Sequence, residues 1–508
     1  MPTGRTPRRA MSELRRRRAA LARANARPPR FVEAARELVR GAPELLPRYS
    51  TNPLALVGGA EDAAADDDAF TTCAPCEPTS IASAWVEDAH RLNDRSAVPP
   101  ELDVAHPSGG AVPAGRGARK RDQLLNVFLF VAPFLRRKPD AVVVDFGCGG
   151  GHQSLPLAYH FPDARFVLVD AKRRSLDVAR RRADAAGLAN VRVVEGRIED
   201  FDEPFDVGIA LHACGAASDF AMKKCVAARA AYVVAPCCVG KISLAVRTED
   251  VREDGAEDDG DGEGDRAGGR VRRDDVEGSK PLRYPRSHAA ASTISTSSYV
   301  AVAKAADFGG EGYDETARGT VGGGDDGCGY ADSSEEEEDA EADAREAAAL
   351  ALAPVAEETR NGSNPSDAAA PRLSRGLLDL MAKRASKKAA KVGAKPRATP
   401  ERLAERELQR RACKSLVEAD RNRSASERGY ATWQTVMEPP GCTPKNDVLV
   451  GVPSSQPEGD WRADAERVFE EAMGRPAPSP AAAFFDGIPI EGVGCVFRVR
   501  GVARARGK

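Results

Sequence analysis

The chain has 508 residues, of which 42% are hydrophobic and 5% aromatic, with 74 Lys and Arg against 77 Asp and Glu. No run reaches the roughly 18–20 apolar residues that cross a bilayer and no apolar signal-peptide core is present, which excludes a spanning or exported class and predicts a soluble, cytoplasmic protein. Eleven cysteines in a chain this long fit a reducing compartment better than a disulfide framework.

The first forty residues hold twelve Arg against Glu13, Glu33 and Glu37. Such a segment reads as a solvated tail, an organelle-targeting segment or a nucleic-acid-binding arm. Residues 41–110 show little periodicity, so 1–118 is expected to be a basic tail followed by largely irregular chain. Cys73-Ala-Pro-Cys76 has redox spacing, but Asp66, Asp67 and Asp68 stand where a thioredoxin-like site needs an apolar strand, so the pair reads as incidental.

Order is expected from residue 119. Leu124, Leu125, Phe128, Val131 and Leu135 fall on one helical face, closed by Arg136-Arg137-Lys138-Pro139. Strands over 141–146, 165–169, 191–195, 205–211 and 230–235 then alternate with helices over 152–160, 173–186 and 217–228. This spacing predicts an α/β fold with a parallel, doubly wound sheet. The first strand runs into Asp145-Phe-Gly147-Cys-Gly149-Gly-Gly151, and the second ends on Asp170. Alternating glycines let backbone approach a ligand, and an acid on the second strand suits ribose hydroxyls. A carboxylate at Asp145 repels phosphate and suits a cation, which favours S-adenosylmethionine over a dinucleotide.

The first part of the domain is read as 119–246. Residues 247–282 and 309–398 read as an acidic and a low-complexity disordered insertion, on either side of a less biased island at 283–308. Thr399-Pro400-Glu401 reopens a helix that Gly429 stops, and strands over 430–437 and 448–452 follow. Residues 399–453 thus supply the last helix and strands of a seven-stranded Rossmann-like sheet split by the insertions. Residues 454–508 include a helix over 460–473 and the apolar run Gly494–Phe497, with no assigned role.

Lys120–Gln123, Leu155–Ala158, Ala210–Gly215, Pro236–Cys238, Tyr284–Ser287, Ala419–Arg421 and Cys442–Asp447 together resemble, in order, blocks of the methyltransferase domain of the glutathione S-transferase C-terminal domain-containing protein family. The resemblance covers about 119–244, 283–308 and 400–453. It implies a class I S-adenosylmethionine-dependent methyltransferase. The amino-terminal region is too short and polar for the transferase-like domain of that family, so glutathione binding is not carried over. Arg197 stands where many class I enzymes place an acid toward the adenine.

The expected cofactor-binding residues are Asp145, Gly147, Gly149, Gly151, Asp170, Arg197, Ile198 and Leu211. Ligands bind outside the carboxyl ends of such strands, where His212 and Cys214 follow the fourth strand and Cys237 and Cys238 the fifth. His212 is the natural base, and Cys214 and Cys237 are candidate catalytic thiols. Three readings stand for the cysteines: core packing, which is favoured; a nucleophile of the cytosine-C5 type; and, with His212, a metal cluster. The spacing is unlike a zinc ribbon, and no metal is expected. The acceptor leans towards RNA on Lys120, Arg121, Arg286, Arg421 and Lys445. A protein or small-molecule acceptor and an inactive scaffold are the alternatives.

Overall fold

The structure is a computed structural model that describes residues 30–57, 78–109, 114–211, 213–246, 282–307, 400–439, 442–443, 446–454, 456–457, 459–473 and 477–478. His212, Cys73, Cys76, Lys445, Gly494–Phe497, the first 29 residues and almost all of both expected insertions lie outside these residues.

The strands are β1 (Arg48–Tyr49), β2 (Val142–Phe146), β3 (Arg165–Asp170), β4 (Val191–Glu195), β5 (Val207–Leu211), β6 (Ala231–Ala235), β7 (Tyr430–Val436), β8 (Asp447–Pro453) and β9 (Ala477–Pro478). The helices are α1 (Arg30–Gly41), α2 (Pro53–Val57), α3 (Ser80–Leu92), α4 (Ala114–Arg137), α5 (Ser154–His160), α6 (Arg173–Ala185), α7 (Ala216–Ala228), α8 (His288–Ala291), α9 (Thr296–Asp307), α10 (Pro400–Ser426) and α11 (Trp461–Met473). A seven-stranded sheet has the order β4-β3-β2-β5-β6-β8-β7. Strands β2 to β6 pair in parallel, β8 is antiparallel to β6, and β7 is antiparallel to β8.

Alternation along each strand sends successive residues to opposite faces. Val143, Phe166, Ile209 and Val450 face one core, built with α4 (Phe128, Phe130, Phe134), α3 and α11. Val144, Phe146, Val167, Val234 and Leu449 face the other, with Ala221, Met222 and Cys225 of α7. A satellite core joins α1, α9, the 3-10 turn Val239–Leu244 and α10 through Leu38, Val302, Ile242 and Leu416.

Two expectations are corrected. Among the described residues before 118, α1 and α3 are regular helices, and Trp85 of α3 packs edge-on against Phe469 at 4.8 Å. The apolar face of α1 (Phe31, Val32, Ala35, Leu38, Val39) lies within an Arg-rich stretch whose charge dominates the reading, and α3 is flanked by Pro- and Asp-containing chain without a periodic sequence pattern. Residue 453 is not a structural end. Phe469 of α11 stacks on Phe134 at 4.9 Å, and β9 pairs with β1.

Candidate functional site

The turn after β2 holds Gly147, Gly149 and Gly151 at φ +78°, +53° and +75°. Side chains are strained in this region. The three glycines serve different ends. A β-carbon on Gly147 or Gly149 would meet no atom within 4 Å, so both backbones face open space; one on Gly151 would lie 2.9 Å from Leu155 Cγ and 3.2 Å from Leu168 Cδ2. The first two permit close approach of a ligand, and the third permits α5 to seat on β3.

Asp170 closes this space. Its Oδ2 accepts the Gly149 N–H at 3.0 Å and its Oδ1 the Lys172 N–H at 2.7 Å, which orients the carboxylate and leaves it further lone pairs. Asp145 is buried and accepts the Ser154 hydroxyl. Burial pushes its carboxyl up to about 7, the Ser154 bond opposes that, and the nearby Asp170 charge adds to it. After β4, Ile198 is buried beside Phe201 at the start of a 3-10 turn, and exposed Arg197 pairs with Glu199. Leu211 ends β5 and lines a crevice with Gln153, Ala235 and Met437.

Sequence reasoning missed the clasp on this turn. Arg182, only 1% exposed, donates to Gly150 O at 2.8 Å, His152 Nδ1 at 2.9 Å and Glu101 O at 3.0 Å. Burial and the Arg182 and Lys120 charges hold the His152 imidazolium form well out of reach, so its Nδ1 is free to accept. One of twelve arginines in an Arg-rich chain's tail looks like any other, and Arg182 sits in the equally unremarkable run Arg180-Arg181-Arg182.

At the ends of β5 and β6, Cys214, Cys237 and Cys238 converge: their Sγ atoms all lie within 4.8 Å of one another, and Cys214 and Cys237 are 2.9 Å apart. Gly215 N–H donates to Cys238 O at 2.8 Å. The contact from Cys237 favours the Cys214 thiolate, but that to Cys238 and burial outweigh it, and the thiol is pushed up to about 12. Contacts with Cys214 and Cys238, then burial, raise Cys237 well above the usual thiol range. Both stay protonated at neutral pH, which weakens them as unaided nucleophiles.

Next to them is a buried ionic brace. Arg421 grips Asp219 with Nη2 at 2.7 Å and Nε at 3.1 Å, Glu418 at 3.0 Å and Gly215 O at 3.0 Å. Lys414 binds Glu418 at 3.2 Å and also Asp447, and Tyr49 donates to Asp447. Arg286 lies 3.3 Å from Asp219, and Asp420 accepts the Arg286 and Ser287 N–H groups at 2.8 and 2.9 Å. Arg421 is therefore committed to Asp219, not to a phosphate path, and Arg286 is largely so. Gln123 donates to Cys442 O at 3.0 Å, while Asn126 bridges Asn52 at 2.9 Å and Glu438 O at 2.6 Å. Several blocks that carried the resemblance are thus the contacts that hold the two halves of the domain together.

A groove of about 1110 Å³ runs between α7, residues 283–291 and the end of α10. Its charged lining is Lys223, Arg229, Arg283, Arg286, Arg421 and Arg428 against the acids Asp219 and Glu427, plus His288. Arg283, Arg229, Lys223 and Arg428 were not among the residues singled out from sequence, because 283, 229 and 428 meet only in the fold.

A family model described as "Methyltransferase domain" matches residues 119–245. The glutathione S-transferase C-terminal domain-containing protein of Xenopus laevis is 38% identical over 145 residues, 28% of this chain and 23% of that one. The chain therefore aligns with under a quarter of the length of that curated relative. Ribosomal RNA small subunit methyltransferase G of Porphyromonas gingivalis is 44% identical over 78 residues, 15% of this chain and 35% of that one. PKMT2 from Rickettsia typhi, solved in complex with AdoHcy, has 20% identity and a TM-score of 0.18 over 20% of this chain and 24% of that one. The chain thus carries, over residues 119–245, a methyltransferase domain similar to that of the glutathione S-transferase C-terminal domain-containing proteins.

Proposed function

We propose that the protein transfers a methyl group from S-adenosylmethionine to RNA. The observation that carries the reading is the open space over Gly147 and Gly149 beside the oriented Asp170 carboxylate. When bound, the cofactor supplies a methyl carbon already activated by its sulfonium, so alignment does most of the work. Gly147 and Gly149 admit it, Asp170 accepts its ribose hydroxyls, and the buried Asp145 offers a negative charge near its cationic end. Ile198 borders the adenine side with Arg197 at the rim, Gly151 keeps the turn seated on β3, and Leu211 and Gln153 lie on the acceptor side of the strand ends. His212, which follows Leu211 in sequence, takes a proton where the acceptor retains one. Cys214 and Cys237 stand at the acceptor end. Lys223, Arg229, Arg283 and Arg428, the groove cations beside α7 that are not committed to Asp219, support RNA, since phosphate neutralisation needs clustered Lys and Arg. The likeness to a protein named as a ribosomal RNA methyltransferase agrees with it.

The test is to incubate the full chain with methyl-labelled cofactor and separated RNA and protein fractions of a cell extract. Label should enter RNA and be released by ribonuclease, and His212→Ala should lower turnover far more than cofactor affinity. Label in the protein fraction would replace the RNA reading; cofactor binding with no label in any fraction would leave a scaffold.

A further inference from the structure

Three thiols that meet from two strand ends are more than core filling requires. Cys214 lies in the turn after β5, and Cys237 and Cys238 follow β6 directly. All three are only partly buried, unlike Cys225 and Cys413, which pack in apolar surroundings. A tetrahedral thiolate site has metal–sulfur bonds of about 2.3 Å, which places its sulfurs roughly 3.8 Å apart. The sulfurs here lie within 4.8 Å of one another, with one pair at 2.9 Å, so small side-chain rotations bring them to that spacing. We propose that Cys214, Cys237 and Cys238 bind one zinc ion through their Sγ atoms. Among the described residues no fourth His, Cys, Asp or Glu joins the group. The fourth position falls outside that set, as in sites that keep one position for water or substrate.

Binding breaks three S–H bonds, forms three Zn–S bonds and sends three protons to solvent. The site is left with a net charge of −1. The amino end of α7 begins two residues after Cys214, so its helix dipole faces the sulfurs. Gly215 must stay a glycine for the two loops to meet: its φ is +59°, and a β-carbon there would lie 2.8 Å from Lys241 Cβ.

The experiment measures zinc in the full chain purified under reducing conditions without chelator, then titrates the metal-stripped protein with Co²⁺ and follows the thiolate-to-cobalt charge-transfer absorption. One zinc per chain is expected, together with a saturable cobalt band. Each of Cys214→Ser, Cys237→Ser and Cys238→Ser should weaken metal affinity by about tenfold or more. Cys413→Ser and the pair Cys73→Ser with Cys76→Ser should leave it unchanged. Should a variant precipitate, the cobalt titration of the wild-type chain still decides. Absence of both zinc and cobalt band in the wild type, zinc retained when all three cysteines are replaced, or a Cys214–Cys237 disulfide found in the reduced, metal-free preparation would overturn the proposal.

Discussion

Asp170 does two jobs with one carboxylate: it fixes the Gly149 N–H and keeps acceptor capacity toward the open space. Asp170→Ala removes both, and Gly149→Val fills that space from a backbone at φ +53°. Each should weaken S-adenosylmethionine binding by about 1.5–3 kcal/mol, tenfold or more in Kd. Calorimetry giving wild-type affinity in both variants would place the cofactor elsewhere. Asp145 yields a pH prediction. Its folded-state carboxyl, pushed by burial to about 7, lies above the ordinary 3.8, so the stability it contributes is complete below that lower value and is lost as pH rises through about 7. Thermal melts of the ligand-free chain should therefore show Asp145→Asn gaining on the wild type from about pH 4 to about pH 7 and levelling off above that, and a constant difference across this range would show that Asp145 does not titrate there. Cofactor affinity should move the other way, rising with pH as the carboxylate ionises opposite a cation. The alternating glycines were legible in the sequence, because a strand that ends in a turn at positive φ demands that residue type. Arg182 was not, since only the fold brings it to Gly150 and His152.

At the level of elements, α10 is the brace. It lies between the satellite core and β7, and it reaches the turn after β5 through Arg421. Removing Arg421 would take the bidentate partner from Asp219 and leave it Arg286 and Tyr284, and would leave Glu418 with Lys414 alone among the described residues, although both acids are at most 1% exposed. Arg421→Met should destabilise the domain by about 3–5 kcal/mol, the usual cost of breaking rather than replacing a buried pair. Denaturant melts check this, and a loss under about 1 kcal/mol would show that the brace is dispensable. The strands and helices of 141–235 were readable because period-2 and period-3.6 patterns alternate there without interruption. Helix α1 escaped because its apolar face sits inside an Arg-rich stretch read by its charge, and α3 because the chain on either side of it lacks regular sequence pattern. The Asp420-Arg421 block was visible as a motif, but its role as an ion-pair anchor needed Asp219, 202 residues away in the chain.

For the whole molecule, the sheet is assembled from two distant stretches of chain. Strand β8 pairs with β6 through Tyr232↔Gly451, Val233↔Val450 and Val234↔Leu449. Gly451 is required there, since a β-carbon would lie 2.2 Å from the Tyr232 ring. Deleting 309–372 should leave folding and cofactor binding intact, whereas ending the chain at 396 should abolish both, because α10, β7 and β8 leave with it. A soluble, cofactor-binding fragment ending at 396 would sink the split-domain reading. Thermal denaturation and calorimetry on the two chains distinguish the outcomes.

That same separation has a consequence in time. During synthesis the apolar edge of β6 leaves the ribosome well before its partner: about 200 residues must still be translated, which at the usual 5–20 residues per second takes roughly 10–40 s. Hydrophobic collapse is complete within about 100 μs. The nascent chain therefore waits with an unpaired β6 edge for a period some five orders of magnitude longer than collapse takes, which is when such an edge is exposed to aggregation.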